Sequence, residues 1–235
     1  SYTYFAWRNT KIELTEYFTE LTQTHVRDFF RPNLWPNTPD ILTEILQHGG
    51  RAAFMVRAIL AATLGASYGI YGPAFELAEH RALRPGSEEY LDSEKYQIRH
   101  WDRNAPDSLR GLLTRLNKVR RENAALKSIW SLLFHPVDND QLIVYSKATA
   151  DLSNIIVVVV NLDLRYKQSG WVDLPLSDFG IDPVQQYQVH DLLADTHYFW
   201  KGPHNYVELN PQVMPAHVFR IRRQVGTDAE LDYVA

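Results

Sequence analysis

The spacing of apolar residues changes near residue 126, and this change restricts the folds that the chain can adopt. Before it, strand-like and helix-like segments alternate, which is typical of β/α folds. After it, short strand-like segments are separated by turns rich in Gly, Pro, Asn and Asp, which is typical of an antiparallel β-sandwich. With 235 residues, the chain has room for two such units. We therefore predict a β/α unit over residues 1–126 and an all-β unit over residues 127–235.

The β/α unit is predicted to combine strands with buried and amphipathic helices. Strands are predicted at residues 2–7, 27–31 and 67–71. Thr10 and Glu13 have the spacing of a capping box, so a helix should begin there. Residues 51–64 are apolar on nearly every side, which predicts a helix buried among other elements. A further amphipathic helix should begin near Pro106, with its basic side chains in solvent.

The all-β unit is predicted from runs of β-prone residues separated by turn residues. The predicted strands are residues 142–145, 155–160, 171–174, 186–191, 197–200, 206–209 and 217–221. The segment after Gln224 is expected to be frayed.

A proline-rich loop follows the second predicted strand. Three prolines between residues 32 and 39 prevent helix or sheet from continuing, because each lacks a backbone donor and restricts the residue before it. Asn37 and Asp40 lie on this stiff loop, close to Trp35. One interpretation is a turn in which Asp40 caps a short helix over residues 41–47. The other is a carboxylate presented beside an apolar platform at the exit of a strand.

Three strand–helix units are too few to form a closed parallel barrel. A (β/α)8 barrel has eight strands and typically about 250 residues, and its active site lies at the carboxyl ends of the strands. The chain also starts without Met, directly in a strand-like segment. We therefore expect a fragment that supplies one wall of a site, with roughly five strands upstream. The open sheet edges of such a half barrel should favour association into a homo-oligomer, most simply a dimer.

Composition excludes several classes of function. The net charge of -4 offers no basic surface for a phosphate backbone, so we predict no nucleic-acid partner. With 0 Cys and no H-E-x-x-H spacing among the 9 His, we predict neither a metal site nor a cofactor. The longest apolar run, residues 155–160, is far shorter than the roughly 20 residues that span a membrane. The lack of cysteine is compatible with a reducing cytoplasm.

Three segments, residues 37–41, 69–76 and 86–96, resemble a known family. The chain is similar to the α-amylase superfamily (glycoside hydrolase family 13), and these segments resemble its bacterial maltosyltransferases, which use maltose 1-phosphate to extend α-1,4-glucans. The resemblance runs from Ser1 to about Arg223. It implies the C-terminal part of a (β/α)8 TIM barrel, strands 6 to 8, followed by an antiparallel β-sandwich. It also implies a bacterial cytoplasmic enzyme whose partners are maltose 1-phosphate and an α-1,4-glucan or maltooligosaccharide.

The same resemblance implies roles for individual residues. The superfamily uses a nucleophilic Asp, an acid/base Glu and a second Asp, and Asp40 matches this last residue as a transition-state stabiliser. The other two carboxylates would then lie upstream of Ser1. Lys95 and Tyr96 match the sugar-binding pair of the family, and the alternative for them is a surface loop of ion pairs. Asn37 either binds at the site and orients Asp40 or satisfies the loop backbone. Pro39 stands where many amylases have His, which argues against a generic amylase.

Alternative functions remain open from the sequence. One is an amylase-like α-glucan hydrolase. Another is a non-catalytic glucan-binding or interaction module in which sandwich aromatics either stack on sugars or pack in the core. These aromatics are Trp171, Tyr187, Tyr198, Phe199, Trp200 and Tyr206. A serine-hydrolase triad built on His135 or His190 is rejected, because no G-x-S-x-G turn occurs.

Overall fold

Helices dominate the first half of the chain and strands the second. The computed structural model describes residues 3–222. The helices are α1 (Lys11–Gln23), α2 (Val26–Phe29), α3 (Glu44–His48), α4 (Gly50–Leu64), α5 (Gly72–Glu76) and α6 (Arg110–Glu122), with 3-10 turns at Tyr4–Trp7 and Ala124–Lys127. Within the described residues, none of the helices combines the length and apolarity needed to cross a membrane. The predicted frayed tail after Gln224 lies outside the described residues.

Two of the predicted N-terminal strands are wrong. Tyr4–Trp7 is a 3-10 turn that begins where the Thr3 hydroxyl accepts a hydrogen bond from the Phe5 amide. Residues 27–31 begin within helix α2, which ends at Phe29. Both stretches have β-prone residues but no neighbouring strand within the described residues, and a strand without a partner leaves its backbone groups unpaired.

A short parallel sheet forms just beyond the predicted position of the second strand. Strand β1 (Asn33–Leu34) pairs in parallel with β2 (Ser67–Tyr68), with Asn33 opposite Ser67 and Leu34 opposite Tyr68. The third predicted strand is therefore confirmed over its first two residues. Because the two strands run in the same direction, their carboxyl ends lie at the same edge, and the loops that follow them are neighbours.

Helix α4 forms the centre of the first half of the chain. Its residues from Ala52 to Leu64 are all buried, which confirms the prediction of a helix enclosed on several sides. The buried residues include Arg57, whose guanidinium donates to the Arg8 and Phe5 carbonyls and lies 3.9 Å from the centre of the Phe5 ring. Burial lowers the pKa of Arg57 to about 9. Arg57 thereby attaches the first residues of the described chain to α4.

The second half consists of antiparallel sheets, as the sequence predicts. A six-stranded sheet has the order β3-β4-β5-β10-β7-β8, and a two-stranded sheet pairs β6 with β9. The strands are β3 (Leu133–His135), β4 (Leu142–Ala148), β5 (Ile155–Asn161), β6 (Gln168–Asp173), β7 (Gln186–Asp191), β8 (Thr196–Lys201), β9 (His204–Leu209) and β10 (Ala216–Arg222). All seven predicted strands coincide with strands of the structure, and only β3 is additional.

Strands β4 and β5 of the six-stranded sheet are buried on both faces. One face, which includes Tyr145 and Val158, belongs to the same hydrophobic core as α4 and α6. The other face, which includes Val144 and Val157, packs with Val172 and Val207 of the small sheet in a second core. The second core is the interior of the sandwich, whereas the first joins the sheet to the helices.

Two cations join the halves of the chain at the C-terminus of α4. Lys147 on β4 is 1% exposed, and its ammonium donates to the Thr63 and Leu64 carbonyls at 3.1 Å each. Arg120 on α6 donates to the carbonyls of Ala62, Gly65 and Ala66. The carbonyl end of a helix carries partial negative charge, so cations stabilise it. The prediction that the basic side chains of α6 are only solvated is therefore wrong for Arg120.

Candidate functional site

Asp40 lies at the tip of a tight turn after β1. Thr38 and Ile41 exchange backbone hydrogen bonds of 3.1 and 3.2 Å, which leaves Pro39 and Asp40 at the tip of the turn. The Asp40 side chain is 63% exposed. The interpretation of Asp40 as a helix cap is wrong, because the following helix α3 begins at Glu44 and has Thr43 at its N-cap position. The turn thus presents Asp40 as an exposed carboxylate.

Lys95 binds the Asp40 carboxylate directly. Its ammonium lies 2.5 Å from Asp40 Oδ1 and 3.5 Å from Glu89 Oε1. The hydrogen bond that the Lys95 ammonium donates to Asp40 raises the pKa of Lys95, so the ammonium stays charged. The ammonium also lies 5.3 Å from the centre of the Tyr96 ring, and Tyr96 is largely exposed. The structure therefore brings three of the four predicted site residues, Asp40, Lys95 and Tyr96, into one exposed cluster.

Backbone contacts hold residues 86–96 against the loop that carries Asp40. The Leu42 amide donates to the Glu88 carbonyl at 2.7 Å. The Gln47 side chain donates to the Ser87 carbonyl at 2.9 Å and to the Leu42 carbonyl at 2.7 Å. Two segments that are far apart in the sequence thus form one surface. Their contact brings Lys95 close to Asp40.

Asn37, the fourth predicted site residue, is fully buried behind the Asp40 turn. Its Oδ1 accepts from the Tyr71 amide at 2.8 Å, and its Nδ2 donates to the Tyr90 hydroxyl at 2.8 Å. Both ends of the amide are therefore engaged, and Asn37 connects the loops that follow β1 and β2. In this conformation Asn37 holds the loops, while direct contact with a ligand stays a prediction.

Sequence reasoning missed a second group of polar residues beside this cluster. Tyr71, which follows β2, donates its hydroxyl to Glu94, and the Trp101 indole donates to the same carboxylate at 3.1 Å. Burial, followed by the hydrogen bond to Glu94, raises the pKa of Tyr71 to about 12. The hydrogen bond from Tyr71 lowers the pKa of Glu94. The density of charge and tyrosine between residues 86 and 96 was the available signal for this network.

The long segment after α5 is fixed by a separate carboxylate. Glu79 binds the guanidinium of Arg81 at 3.0 Å and that of Arg99 at 2.9 Å. Burial raises the pKa of Glu79, but the hydrogen bonds from Arg81 and Arg99 outweigh it and lower the pKa to about 2. Glu79 is thus ionised at neutral pH and connects the two ends of the segment from Glu79 to Arg99.

A close approach of Trp35 explains one of the glycines after β2. A Cβ atom at Gly69 would lie 2.5 Å from the Trp35 indole, so only glycine fits there. The Gly69 amide also donates to the Leu34 carbonyl at 3.0 Å, which extends the β1–β2 pairing. The indole therefore packs on the exit of β2 and supports the neighbouring loops.

The cluster offers electrostatic chemistry. An exposed carboxylate, an ammonium and a phenol can bind hydroxyl groups and stabilise positive charge. Elsewhere, His135 bonds Ser146 at 2.7 Å, but both side chains are buried, and burial lowers the pKa of His135 to about 4. Among residues 3–222, no group of three or more His, Cys, Asp or Glu is placed to hold a metal ion.

Comparison with known sequences relates the chain to one family. A family model described as "GLGE, C-terminal" matches residues 134–221. The α-1,4-glucan:maltose-1-phosphate maltosyltransferase of Chlorobaculum tepidum is 52% identical over 227 residues, which cover 94% of this chain and 34% of the relative. Maltosyltransferase 1 of Streptomyces coelicolor is also 52% identical over 227 residues, covering 95% of this chain and 33% of the relative. The chain spans about a third of the length of these curated relatives.

Solved structures show the fold at lower identity. The α-amylase of Geobacillus thermoleovorans, crystallised with acarbose, matches with a TM-score of 0.67 at 13% identity and covers 94% of this chain and 46% of the amylase. The maltogenic α-amylase AmyB of Thermotoga neapolitana matches with a TM-score of 0.66 at 15% identity, covering 93% of this chain and 50% of the amylase. The chain is therefore similar, over nearly its whole length, to the C-terminal part of α-1,4-glucan:maltose-1-phosphate maltosyltransferases, and it shares its fold with part of the α-amylases.

Proposed function

We propose that this chain is the C-terminal part of a retaining glycosyltransferase, which transfers maltosyl units from maltose 1-phosphate to α-1,4-glucan chains. The observation that carries the proposal is the exposed Asp40 carboxylate at the tip of its turn, bound by Lys95 from the neighbouring segment. The names of relatives that are 52% identical to this chain support the choice of donor and acceptor. A cofactor is not needed for this chemistry.

In this proposal, residues 1–126 complete a (β/α)8 barrel and residues 127–235 form the C-terminal sandwich. Strands β1 and β2 take the places of barrel strands 7 and 8, and the segment that contains Tyr4–Trp7 adjoins strand 6. Their parallel pairing supports this, since barrel strands are parallel and the loops at their carboxyl ends build the active site. Asp40 and Tyr71 both lie on such loops.

Asp40 acts on the transition state. Retaining transfer uses a nucleophilic carboxylate and an acid/base about 5–5.5 Å apart, around an anomeric carbon that becomes oxocarbenium-like. Those two groups are supplied upstream of Ser1. A third carboxylate that accepts hydrogen bonds from sugar hydroxyls adds negative charge near the developing cation, so it lowers the barrier more than it strengthens ground-state binding.

Lys95 and Tyr96 bind the donor sugar beside Asp40. In the ligand-free arrangement, the Lys95 ammonium neutralises Asp40 at 2.5 Å. When the donor binds, its sugar hydroxyls donate to the Asp40 carboxylate in place of part of the Lys95 contact. The Lys95 ammonium then donates to the sugar. Tyr96, which is 75% exposed, offers an aromatic face within reach of the same ligand. Asn37 positions the turn from behind through the Tyr71 amide and the Tyr90 hydroxyl.

We further propose that the enzyme is bacterial and cytoplasmic, and that the isolated chain forms a homo-oligomer. In the part of the chain that the structure describes, β1 and β2 pair only with each other, so each keeps one open edge. In the whole enzyme the remaining barrel strands cover these edges. In the isolated chain the open edges of β1 and β2 favour association with a second copy. Sedimentation of the isolated chain should therefore show a dimer.

Donor specificity tests the proposed function against an amylase-like hydrolase. The full-length enzyme is incubated with maltose 1-phosphate and maltoheptaose, and phosphate release and chain length are followed together. The expected result is equal amounts of phosphate and of maltosyl units added to the glucan. Release of maltose from starch, with no use of maltose 1-phosphate, would establish the hydrolase instead.

A further inference from the structure

The outer face of the β6–β9 sheet carries aromatic side chains that the proposed catalytic site does not use. Trp171 and Tyr206 are directly opposite each other across the two strands, with ring centres 5.5 Å apart. Trp171 is 43% exposed and Tyr206 is 51% exposed. Two neighbouring exposed aromatic rings leave apolar surface in contact with water, which is unfavourable. Polar residues at these positions would serve the fold equally well. We call this pair, together with His204, the aromatic platform.

His204 stacks on one face of the Trp171 ring. The imidazole is parallel to the indole, with an interplanar angle of 2° and ring centres 4.8 Å apart. The imidazole is itself fixed by a 2.7 Å hydrogen bond between its Nδ1 and Asp173 Oδ1. The Trp171 ring is therefore preorganised, so a ligand that stacks on it loses little side-chain entropy in the protein.

A small cavity adjoins the aromatic platform at Tyr206. Its volume is about 220 Å³, below the roughly 300–1,000 Å³ of cavities that enclose drug-sized ligands, so it suits a single sugar ring. The cavity is lined by Tyr198, Trp200, Tyr206, Val207, Glu208, His217 and Phe219. Alternation along β9 places Tyr206 and Glu208 on the same outward face.

Both hydrogen-bond donors and hydrogen-bond acceptors line this cavity. His217 Nδ1 bonds Asp191 at 2.7 Å, which leaves its Nε2 for a ligand. Within the described residues, the hydroxyls of Tyr198 and Tyr206 have no hydrogen-bond partner. The Glu208 carboxylate is half exposed and bonds Lys167 at 3.1 Å. Aromatic faces next to hydroxyl, imidazole and carboxylate groups match the alternating C–H and O–H surfaces of a hexose.

We propose that the aromatic platform and its cavity bind a neutral α-linked glucan chain at a place separate from the Asp40 turn. The choice of an α-glucan rests on the proposed function, in which this polymer is the acceptor. One glucosyl unit enters the cavity and the next ones stack on Tyr206 and Trp171. The Lys167 ammonium at this surface is paired with Glu208, which disfavours a phosphate-bearing ligand.

The structure refines which sandwich aromatics are available to a ligand. Tyr187 is fully buried, and its hydroxyl donates to the Gly202 carbonyl at 3.0 Å, so it belongs to the core. Phe199 is 61% exposed but is not among the residues that line the cavity. The proposed site therefore uses Trp171, Tyr198, Trp200 and Tyr206 of the six aromatics.

Retention of the full-length protein on insoluble amylose tests this proposal without requiring activity. The variants are Trp171→Ala and Tyr206→Ala, and the matched control is Phe29→Ala, which removes a 70% exposed aromatic ring from α2. We expect each platform variant to bind about tenfold more weakly, since the loss of one stacked aromatic contact should cost about 1.4 kcal/mol. Trp171→Phe should restore most of the retention, and all variants should remain folded at the temperature of the assay.

Transfer to a short acceptor separates this proposal from the proposed function. Wild type and Trp171→Ala should transfer maltosyl units to maltotriose at equal rates, because a short acceptor does not reach the platform. Retention of Trp171→Ala and Tyr206→Ala equal to that of Phe29→Ala would overturn the proposal. Platform-dependent retention on cellulose equal to that on amylose would overturn the α-glucan assignment. Loss of self-association in Trp171→Ala, with unchanged amylose retention, would identify the platform as a subunit contact instead.

Discussion

Replacing Lys147 by Met should remove a pH dependence of stability that originates at the contact between the two halves of the chain. Lys147 reaches from β4 to the C-terminus of α4, where its ammonium donates to the Thr63 and Leu64 carbonyls. Burial, and next the charge of Arg120, lowers the pKa of Lys147 from 10.5 to about 7. Methionine has a similar length and no charge, so the substitution removes the titration and keeps most of the packing.

The sign and size of the effect follow from proton linkage. The pKa of Lys147 is about 7 in the folded protein and 10.5 when the chain is unfolded. Between these values the unfolded state binds more protons, so stability rises with pH. The penalty of the buried charge is fully present below pH 7 and is relieved as the pH rises towards 10.5. From pH 7 to 8.5 this group should add about 1 to 2 kcal/mol to the free energy of unfolding.

Urea unfolding at both pH values measures this gain. The difference in unfolding free energy between wild type and Lys147→Met should change by about 1 to 2 kcal/mol in favour of wild type as the pH rises. Lys118→Met is the matched control, because Lys118 is an exposed lysine on α6 and should leave the wild-type pH slope unchanged. Parallel pH dependences for wild type and Lys147→Met would refute the buried, titrating ammonium.

Three further outcomes are expected. Asn37→Ala leaves the buried Tyr71 amide and Tyr90 hydroxyl without their partner, so it should lower the free energy of unfolding by about 1 to 3 kcal/mol in urea; an unchanged urea midpoint would contradict this. The pKa of Glu79 is about 2, below its ordinary 4.5, so its contribution to stability is present above about pH 4.5 and is lost as the pH falls towards 2. Glu79→Gln should therefore flatten acid unfolding in that window, and an unchanged acid transition would argue against the pairing of Glu79 with its arginines. The purified 235-residue chain should release no phosphate from maltose 1-phosphate, and measurable release would show that its site is complete.

The sandwich strands were predictable because their signal is local. Residues 186–191, for example, were predicted as a strand and form β7 with the same bounds. Alternating residues between turn formers specify such a strand without reference to the rest of the chain. The errors at Tyr4–Trp7 and Val26–Phe29 have the opposite origin, because β propensity depends on the neighbouring strand, and neither segment has one within the described residues.

The contacts of the candidate site were only partly predictable. Resemblance indicated Asp40, Lys95 and Tyr96, but not that Lys95 would lie 2.5 Å from Asp40. The amide of Asn37 bonds Tyr90, which is 53 positions away in the sequence, and no local pattern specifies such a partner. The pairing of Lys147 with carbonyls more than 80 positions away was unpredictable for the same reason.

The role of Asp40 is tested most directly by phosphate release from maltose 1-phosphate in the full-length enzyme. Asp40→Asn keeps the size of the side chain but removes the charge that we propose stabilises the transition state. The matched control is Asp92→Asn, which changes an exposed carboxylate in the neighbouring segment, at a φ of 56° that asparagine also tolerates. Asp40→Asn should lower kcat by about 10²-fold or more, while Asp92→Asn keeps the wild-type rate. Equal rates in the two variants would contradict the assignment of Asp40 as the third catalytic carboxylate.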